Sequence, residues 1–115
     1  MITIILLHPQ NATPIQSWSF KNEQIIRIGR ATDNHVVLYS AVVSRHHAEL
    51  RLENNKWEII SLGANGTFIG DRRLTESISV DDGVILRLAK SGPMVQVRFN
   101  HVPWQQGNEM TTQKL

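Results

Sequence analysis

His47-Ala48-Glu49-Leu50-Arg51-Leu52-Glu53-Asn54-Asn55-Lys56-Trp57-Glu58-Ile59-Ile60 decides the fold class. Ala48, Leu50 and Leu52 alternate with Glu49, Arg51 and Glu53, the period of a strand with one buried and one wet face. The apolar pattern resumes at Lys56-Trp57 after only Asn54-Asn55. Asn tolerates the left-handed backbone that a two-residue hairpin turn demands. Residues 47–60 therefore predict an antiparallel hairpin.

Outward from the hairpin the same signal recurs. Val84, Leu86 and Leu88 share one face of a strand, and Val95, Val97 and Phe99 share a face of another. Asp81-Asp82-Gly83 and Ser91-Gly92-Pro93 read as the turns around them. Met1-Ile2-Thr3-Ile4-Ile5-Leu6-Leu7-His8-Pro9 reads as a first strand, and Ile25–Ile28, Val36–Leu38 and Thr67–Ile69 as shorter ones. No window holds a 3.6-residue period, so no helix is predicted. Nine to eleven short strands separated by turns imply an all-β antiparallel sandwich or barrel. From His101 the pattern becomes polar and aperiodic. Residues 1–100 are thus expected to form one domain and residues 101–115 a flexible tail or the start of a linker, with Trp104 a candidate for docking back.

Composition narrows the function class. The chain has 115 residues, 41% hydrophobic and 19% charged, which suits one globular domain. A domain of this size buries roughly two-thirds of its unfolded surface. There is no cysteine, which excludes disulfides, thiolate zinc sites, iron–sulfur clusters and a cysteine nucleophile. The net charge of +2 is low for a general nucleic-acid binder. Eight of the twelve basic residues are nevertheless Arg, at 27, 30, 45, 51, 72, 73, 87 and 98, the side chain that grips phosphate or carboxylate with a planar fork. No stretch approaches the roughly 20 apolar residues that span a bilayer, and the N-terminal run lacks the basic region and cleavage site of a signal peptide. A cytoplasmic location is the expectation. The glycosylation patterns at Asn11 and Asn65 are then unused.

Three clusters fall in turns between strands, where a rigid β-scaffold displays function. Ile28-Gly29-Arg30-Ala31-Thr32-Asp33-Asn34 ends a strand with a Gly and an Arg. Ser44-Arg45-His46-His47 precedes the strongest strand and sets a hydroxyl beside a guanidinium, a grip for an anionic oxygen. His47 is placed to bond backbone and shape that turn. Leu62-Gly63-Ala64-Asn65-Gly66-Thr67-Phe68-Ile69-Gly70-Asp71-Arg72-Arg73-Leu74 contains Asn-Gly, a strong turn dipeptide, and Asn65 carries both a donor and an acceptor for an extended ligand backbone. Taken singly, each cluster also reads as an ordinary turn.

Taken together, Gly29-Arg30, then Ser44-Arg45-His46-His47 fourteen residues after that Arg, then Asn65-Gly66-Thr67, resemble the forkhead-associated (FHA) domain. The resemblance covers about residues 2–100, with its motifs in 29–74. It implies a twisted antiparallel β-sandwich of about eleven strands that binds a phosphothreonine peptide on loops at one end. By that resemblance Arg30, Arg45 and Ser44 contact the phosphate and Asn65 bonds the peptide backbone. Gly29, His47, Gly66 and Thr67 shape the loops, and Tyr39, Ser40, Ala41, Arg72 and Arg73 flank the pocket as candidates for sequence preference. The partner implied is a threonine-phosphorylated protein, bound by a monomer without a cofactor, with micromolar affinity or about 8 kcal/mol. The third cluster departs from the family's usual Asp-Leu-Gly-Ser-Thr-Asn-Gly-Thr-Phe-Val-Asn-Gly. Ser61 stands for the Asp, one residue is missing, Ala64 replaces the hydroxyl residue before Asn65, and Gly70-Asp71 replaces Asn-Gly.

Those departures motivate a second reading, an interaction or self-association module on the same scaffold that needs no phosphate. One version has Thr111 or Thr112 of the tail captured by a neighbouring copy. An enzyme or metal protein is a weaker reading. Adjacent strand residues point to opposite faces, so His46 and His47 do not readily chelate one ion with His35, and Ser44 lacks a nucleophile-elbow pattern. Nucleic-acid binding is opposed by the acids interleaved with the arginines.

Overall fold

The computed structural model describes residues 1–100. Among them are eleven strands and no helix: β1 (Ile2–Leu7), β2 (Pro14–Phe20), β3 (Ile25–Gly29), β4 (Val36–Val37), β5 (Ala48–Glu53), β6 (Lys56–Ser61), β7 (Thr67–Ile69), β8 (Arg72–Arg73), β9 (Ile78–Ser79), β10 (Ile85–Leu88) and β11 (Met94–Phe99). They form two sheets, a six-stranded one in the order β2-β1-β11-β10-β7-β8 and a five-stranded one in the order β4-β3-β5-β6-β9. No helix among the described residues is long and apolar enough to cross a membrane. The expectations for residues 101–115, including Trp104, Thr111 and Thr112, lie outside the described residues.

The hairpin forms as its sequence predicts. Glu53 pairs with Lys56 across the turn, and Asn54 and Asn55 both take positive φ, 52° and 63°, the combination that matches strand twist in a two-residue loop. Alternation then places the core. Ile26 and Ile28 of β3, Leu50 of β5 and Ile59 of β6 face Ile2 and Ile4 of β1, Leu86 and Leu88 of β10, and Val95 and Val97 of β11, all buried in one cluster. Trp18, Phe20, Trp57 and Phe99 close its margins.

Strands β2, β8 and β9 carry no clear sequence signal. β2 begins at Pro14 on a sheet edge, where a missing N–H costs nothing, and only Trp18 and Phe20 reach the core. β8 and β9 are two residues each, too short for alternation to register. One pair is parallel: the chain doubles back after Gly29, so that Ile28 and Gly29 pair with Val36 and Val37. In the turn before β11 the left-handed residue is Ala89, with φ 74°, rather than Gly92.

Register sets which loops share an end. Gly29 ends β3, His47 precedes β5, and the turn after β6 precedes β7, all at one end of the sandwich. Met1 and Asn100 meet at the other end, where the N-terminal ammonium lies 3.1 Å from Asn100 Oδ1. Leu50 is fully buried at the centre of the core, so Leu50→Ala is expected to cost about 2–5 kcal/mol of stability. Urea denaturation measures it, and an unchanged midpoint would contradict this core.

Candidate functional site

The site begins with a close approach of backbones. Arg30 N donates to Ser44 O at 2.9 Å, Ala31 N to Arg45 O at 3.1 Å, and His47 N to Ile28 O at 2.9 Å. These bonds seal the first loop against the second. A Cβ on Gly29 would stand 2.2 Å from Arg45 O. Gly29 is therefore fixed by space, not by the turn conformation that the sequence suggests, since its φ is not positive. Asn34 completes the seam, its buried Nδ2 donating at 2.7 Å to both Ala31 O and Arg45 O.

Four successive carbonyls of the second loop point into this frame. Val42 O accepts from Asn65 Nδ2 at 2.9 Å and Val43 O from Arg30 Nε at 3.0 Å. Ser44 O accepts from Arg30 N, and Arg45 O from Ala31 N and Asn34 Nδ2. The loop is held by its acceptors, with the Val43 side chain buried in the core, Ser44 half-buried and Arg45 exposed. Ser44 Oγ, the Arg45 guanidinium and the Nη groups of Arg30 make no hydrogen bond or ion pair among the described residues. Thus Arg30, Ser44 and Asn65 converge on residues 42–44, and Arg45 follows directly on that loop.

His47 ties this frame to the third loop. Its ring is fully buried. Nδ1 accepts from Ser44 N at 3.0 Å, which leaves Nε2 to carry the proton and donate to Gly66 O at 2.7 Å. His47 O accepts from Leu62 N and Gly63 N. Burial pushes its pKa below the ordinary 6.5, partly opposed by the Gly66 carbonyl. Sequence reasoning passed over Gly63, yet a Cβ there would lie 2.7 Å from His47 Nδ1 and 2.8 Å from Ser44 Oγ.

The third turn is closed by Gly66 N to Gly63 O at 3.0 Å, and Gly66 takes a φ of +81° that favours glycine. Thr67 is buried, its Oγ1 accepting from Ser61 Oγ at 2.9 Å. Ser61, standing where the family usually has Asp, thus supports the turn from below. Arg73 reaches over the same turn from β8 and donates through Nη2 to Ala64 O at 2.9 Å. Tyr39 is 80% exposed beside the second loop.

The other imidazoles take separate partners. His46 Nε2 donates to the Asp33 carboxylate at 3.1 and 3.2 Å. That bond is the main cause of a lowered Asp33 pKa; desolvation opposes it, and the charges of His46 and Arg45 add to it. His35 Nδ1 accepts from Arg27 N at 2.9 Å.

His47 gives a pH signature. Its folded pKa is depressed, so as pH falls through about 6.5 the unfolded chain takes up the proton first and stability declines. His47→Gln is expected to cost about 2–3 kcal/mol through the unpaired Ser44 N and Gly66 O. Because the variant lacks this titration, the stability gap to wild type should narrow between about pH 7.5 and about pH 5.5. Urea melts at the two pH values measure it, and a constant gap would contradict a buried neutral imidazole.

Comparison with known proteins agrees with this architecture. The family model described as FHA domain matches residues 26–89. The FHA domain-containing protein FhaB of Mycobacterium tuberculosis is 34% identical over 71 residues, which are 61% of this chain and 46% of that protein. The chain thus spans under half the length of that relative. A chain from a structural and functional analysis of phosphothreonine-dependent FHA domain interactions superposes with a TM-score of 0.70 at 24% identity, covering 88% of this chain and 98% of that one. Mycobacterium tuberculosis EmbR in complex with a low-affinity phosphopeptide superposes with a TM-score of 0.67 at 25% identity, over 90% of this chain and 26% of that one. With the family model matched over more than half of its length and the two-sheet sandwich in place, this chain belongs to the FHA domain family.

Proposed function

We propose that this domain binds phosphothreonine in a partner protein at the corner formed by Arg30, Ser44, Arg45 and Asn65. The observation that carries the reading is the second loop, whose carbonyls at 42–45 are all engaged within the fold, while among the described residues the Ser44 hydroxyl, the Arg45 guanidinium and the Nη groups of Arg30 bond nothing. A phosphorylated threonine carries about −1.5 to −2 charge and three acceptor oxygens. Two guanidinium groups and a hydroxyl on preformed backbone match that charge and that oxygen count. Gly29, His47, Gly66 and Thr67 keep the loops in place, and Asn65 retains an amide oxygen and one N–H for the ligand backbone. The phosphopeptide held by EmbR and the phosphothreonine dependence studied in related domains support the same class of ligand. No chemistry on the ligand is required. In this reading the domain works as a monomer in the cytoplasm, where a kinase supplies the mark. Neither nucleic acid nor a membrane enters, since Arg27, Arg51 and Arg98 are paired with Glu49 and Asp82 within the fold.

A second reading, phosphate-independent protein contact, rests on Ala64, which offers no hydroxyl where the family usually has one. Fluorescence titration separates the two. Phosphothreonine, phosphoserine and unphosphorylated peptide pools are titrated in parallel. Micromolar binding of the phosphothreonine pool alone is expected, weakening as salt rises because the site is open to solvent. Ser44→Ala is the cleaner variant, since its hydroxyl bonds nothing among the described residues. A loss of about tenfold is expected there, and about tenfold to a hundredfold for Arg30→Ala, which removes a charge-assisted contact. Equal binding of all three pools would reject the phosphate site in favour of the second reading.

A further inference from the structure

The outer face of the six-stranded sheet carries a groove of about 680 Å³ that the loop site does not use. Strand alternation puts Phe68 of β7, Ile85 and Arg87 of β10, and Met94 of β11 on this face, opposite the buried Thr67, Leu86, Leu88 and Val95. Lys90 and Asp71 complete the lining from the adjoining turns. The registers align these side chains into a row across four strands: Arg73 opposite Phe68, Phe68 opposite Arg87, and Arg87 opposite Met94. Its floor is apolar, with Ile85 38% exposed.

The charge along the row is uncompensated. Arg87 donates to Lys90 O at 3.3 Å and lies 3.1 Å from Met94 Sδ, and it meets no carboxylate among the described residues. Lys90 and Arg73 make no ion pair there either. Two cations line the groove against the single acid Asp71, and Arg73 adds a third at its edge. The contrast is with Arg27 and Arg51, which share the Glu49 carboxylate, and Arg98, which meets Asp82.

The row is also continuous with the loop site. Arg73 lies against Gly66 and bonds Ala64 O, one residue from Asn65. Phe68 lies two residues along the strand from Gly66, about 7 Å at the usual strand rise. Three residues of extended peptide cover that distance.

We propose that this groove is a second contact surface, which takes an acidic and partly apolar segment flanking the phosphothreonine of the same partner. The proposal rests on the phosphothreonine reading for the position of the partner, and on charge complementarity and continuity with the loops for its chemistry. The gain comes from tethering, since a flank held near the groove binds at high effective concentration.

The test uses a phosphothreonine peptide of about nine residues with alanine flanks, and the same peptide extended at either end by about eight residues of Asp, Glu, Leu and Phe. One of the two extended peptides is expected to bind wild type about tenfold more tightly than the short one. That gain should vanish in the Arg87→Glu, Lys90→Glu double variant and in Ile85→Asp, while the short peptide binds both variants as it binds wild type. Equal affinity of short and extended peptides, or a gain that survives both variants, overturns the groove and leaves the phosphate site standing. No binding of any phosphothreonine peptide overturns both. Sedimentation supplies the last arm: a wild-type dimer abolished by Ile85→Asp would give the face to a second copy of the chain and overturn the proposal.

Discussion

The His47 imidazole lies fully buried between Ser44 N and Gly66 O, bonded to each through a different ring nitrogen. Nineteen residues separate His47 from Gly66, and no regular strand pairing joins the two loops at this point. A protonated ring would keep its bond to Gly66 O but lose its acceptor toward Ser44 N, and burial disfavours the charge, so the bond from Ser44 N requires the neutral form. The position of Ser44, and with it the presentation of its hydroxyl, follows from that ring. Gly63 follows as well, because the imidazole occupies the space a side chain would need. The backbone of His47 adds the bonds to Ile28, Leu62 and Gly63, so one residue reaches all three loops.

Around that anchor the domain separates structural from exposed hydrogen-bonding groups. The second loop satisfies its carbonyls inward, using Arg30, Ala31, Asn34 and Asn65 as donors. Buried polar groups unpaired in this frame would cost far more than exposed ones. The donors left outward are solvated in the free domain, so their exposure costs little until a ligand displaces the water. The same separation divides the arginines. Arg27 and Arg51 on the five-stranded sheet, and Arg98 at the far end of β11, meet carboxylates, while Arg30 and Arg73 at the loop end and Arg87 on β10 meet backbone carbonyls.

The shortened third turn shows how a departure from a family pattern can be absorbed. Ala64 contributes no hydroxyl, but its carbonyl is held by Arg73, whose guanidinium lies against the Cβ-less Gly66. Ser61 replaces a carboxylate with a hydroxyl and still reaches Thr67. The turn closes with a hydroxyl at Ser61, and the cation that stabilises it comes from the next strand.

Much of this was legible from local pattern. The hairpin at 48–61, the all-β class and the three clusters each depend on neighbours in sequence: alternation, left-handed Asn, and Gly beside polar residues. β2, β8, β9 and the parallel pairing of β3 with β4 were not, because short or edge strands are defined by what lies beside them. The roles of Gly29, Gly63 and Asn34 come from backbones approaching across the sandwich, which no window of sequence contains. The sequence by itself determined the strands long enough to alternate, their core faces and which polar residues fall in turns, since those follow from side-chain period and backbone preference within a few residues. Only the tertiary structure decided which loops meet, which nitrogen of His47 carries the proton and which arginines remain without a carboxylate, since each depends on groups brought within bonding distance by the pairing of strands far apart in the chain.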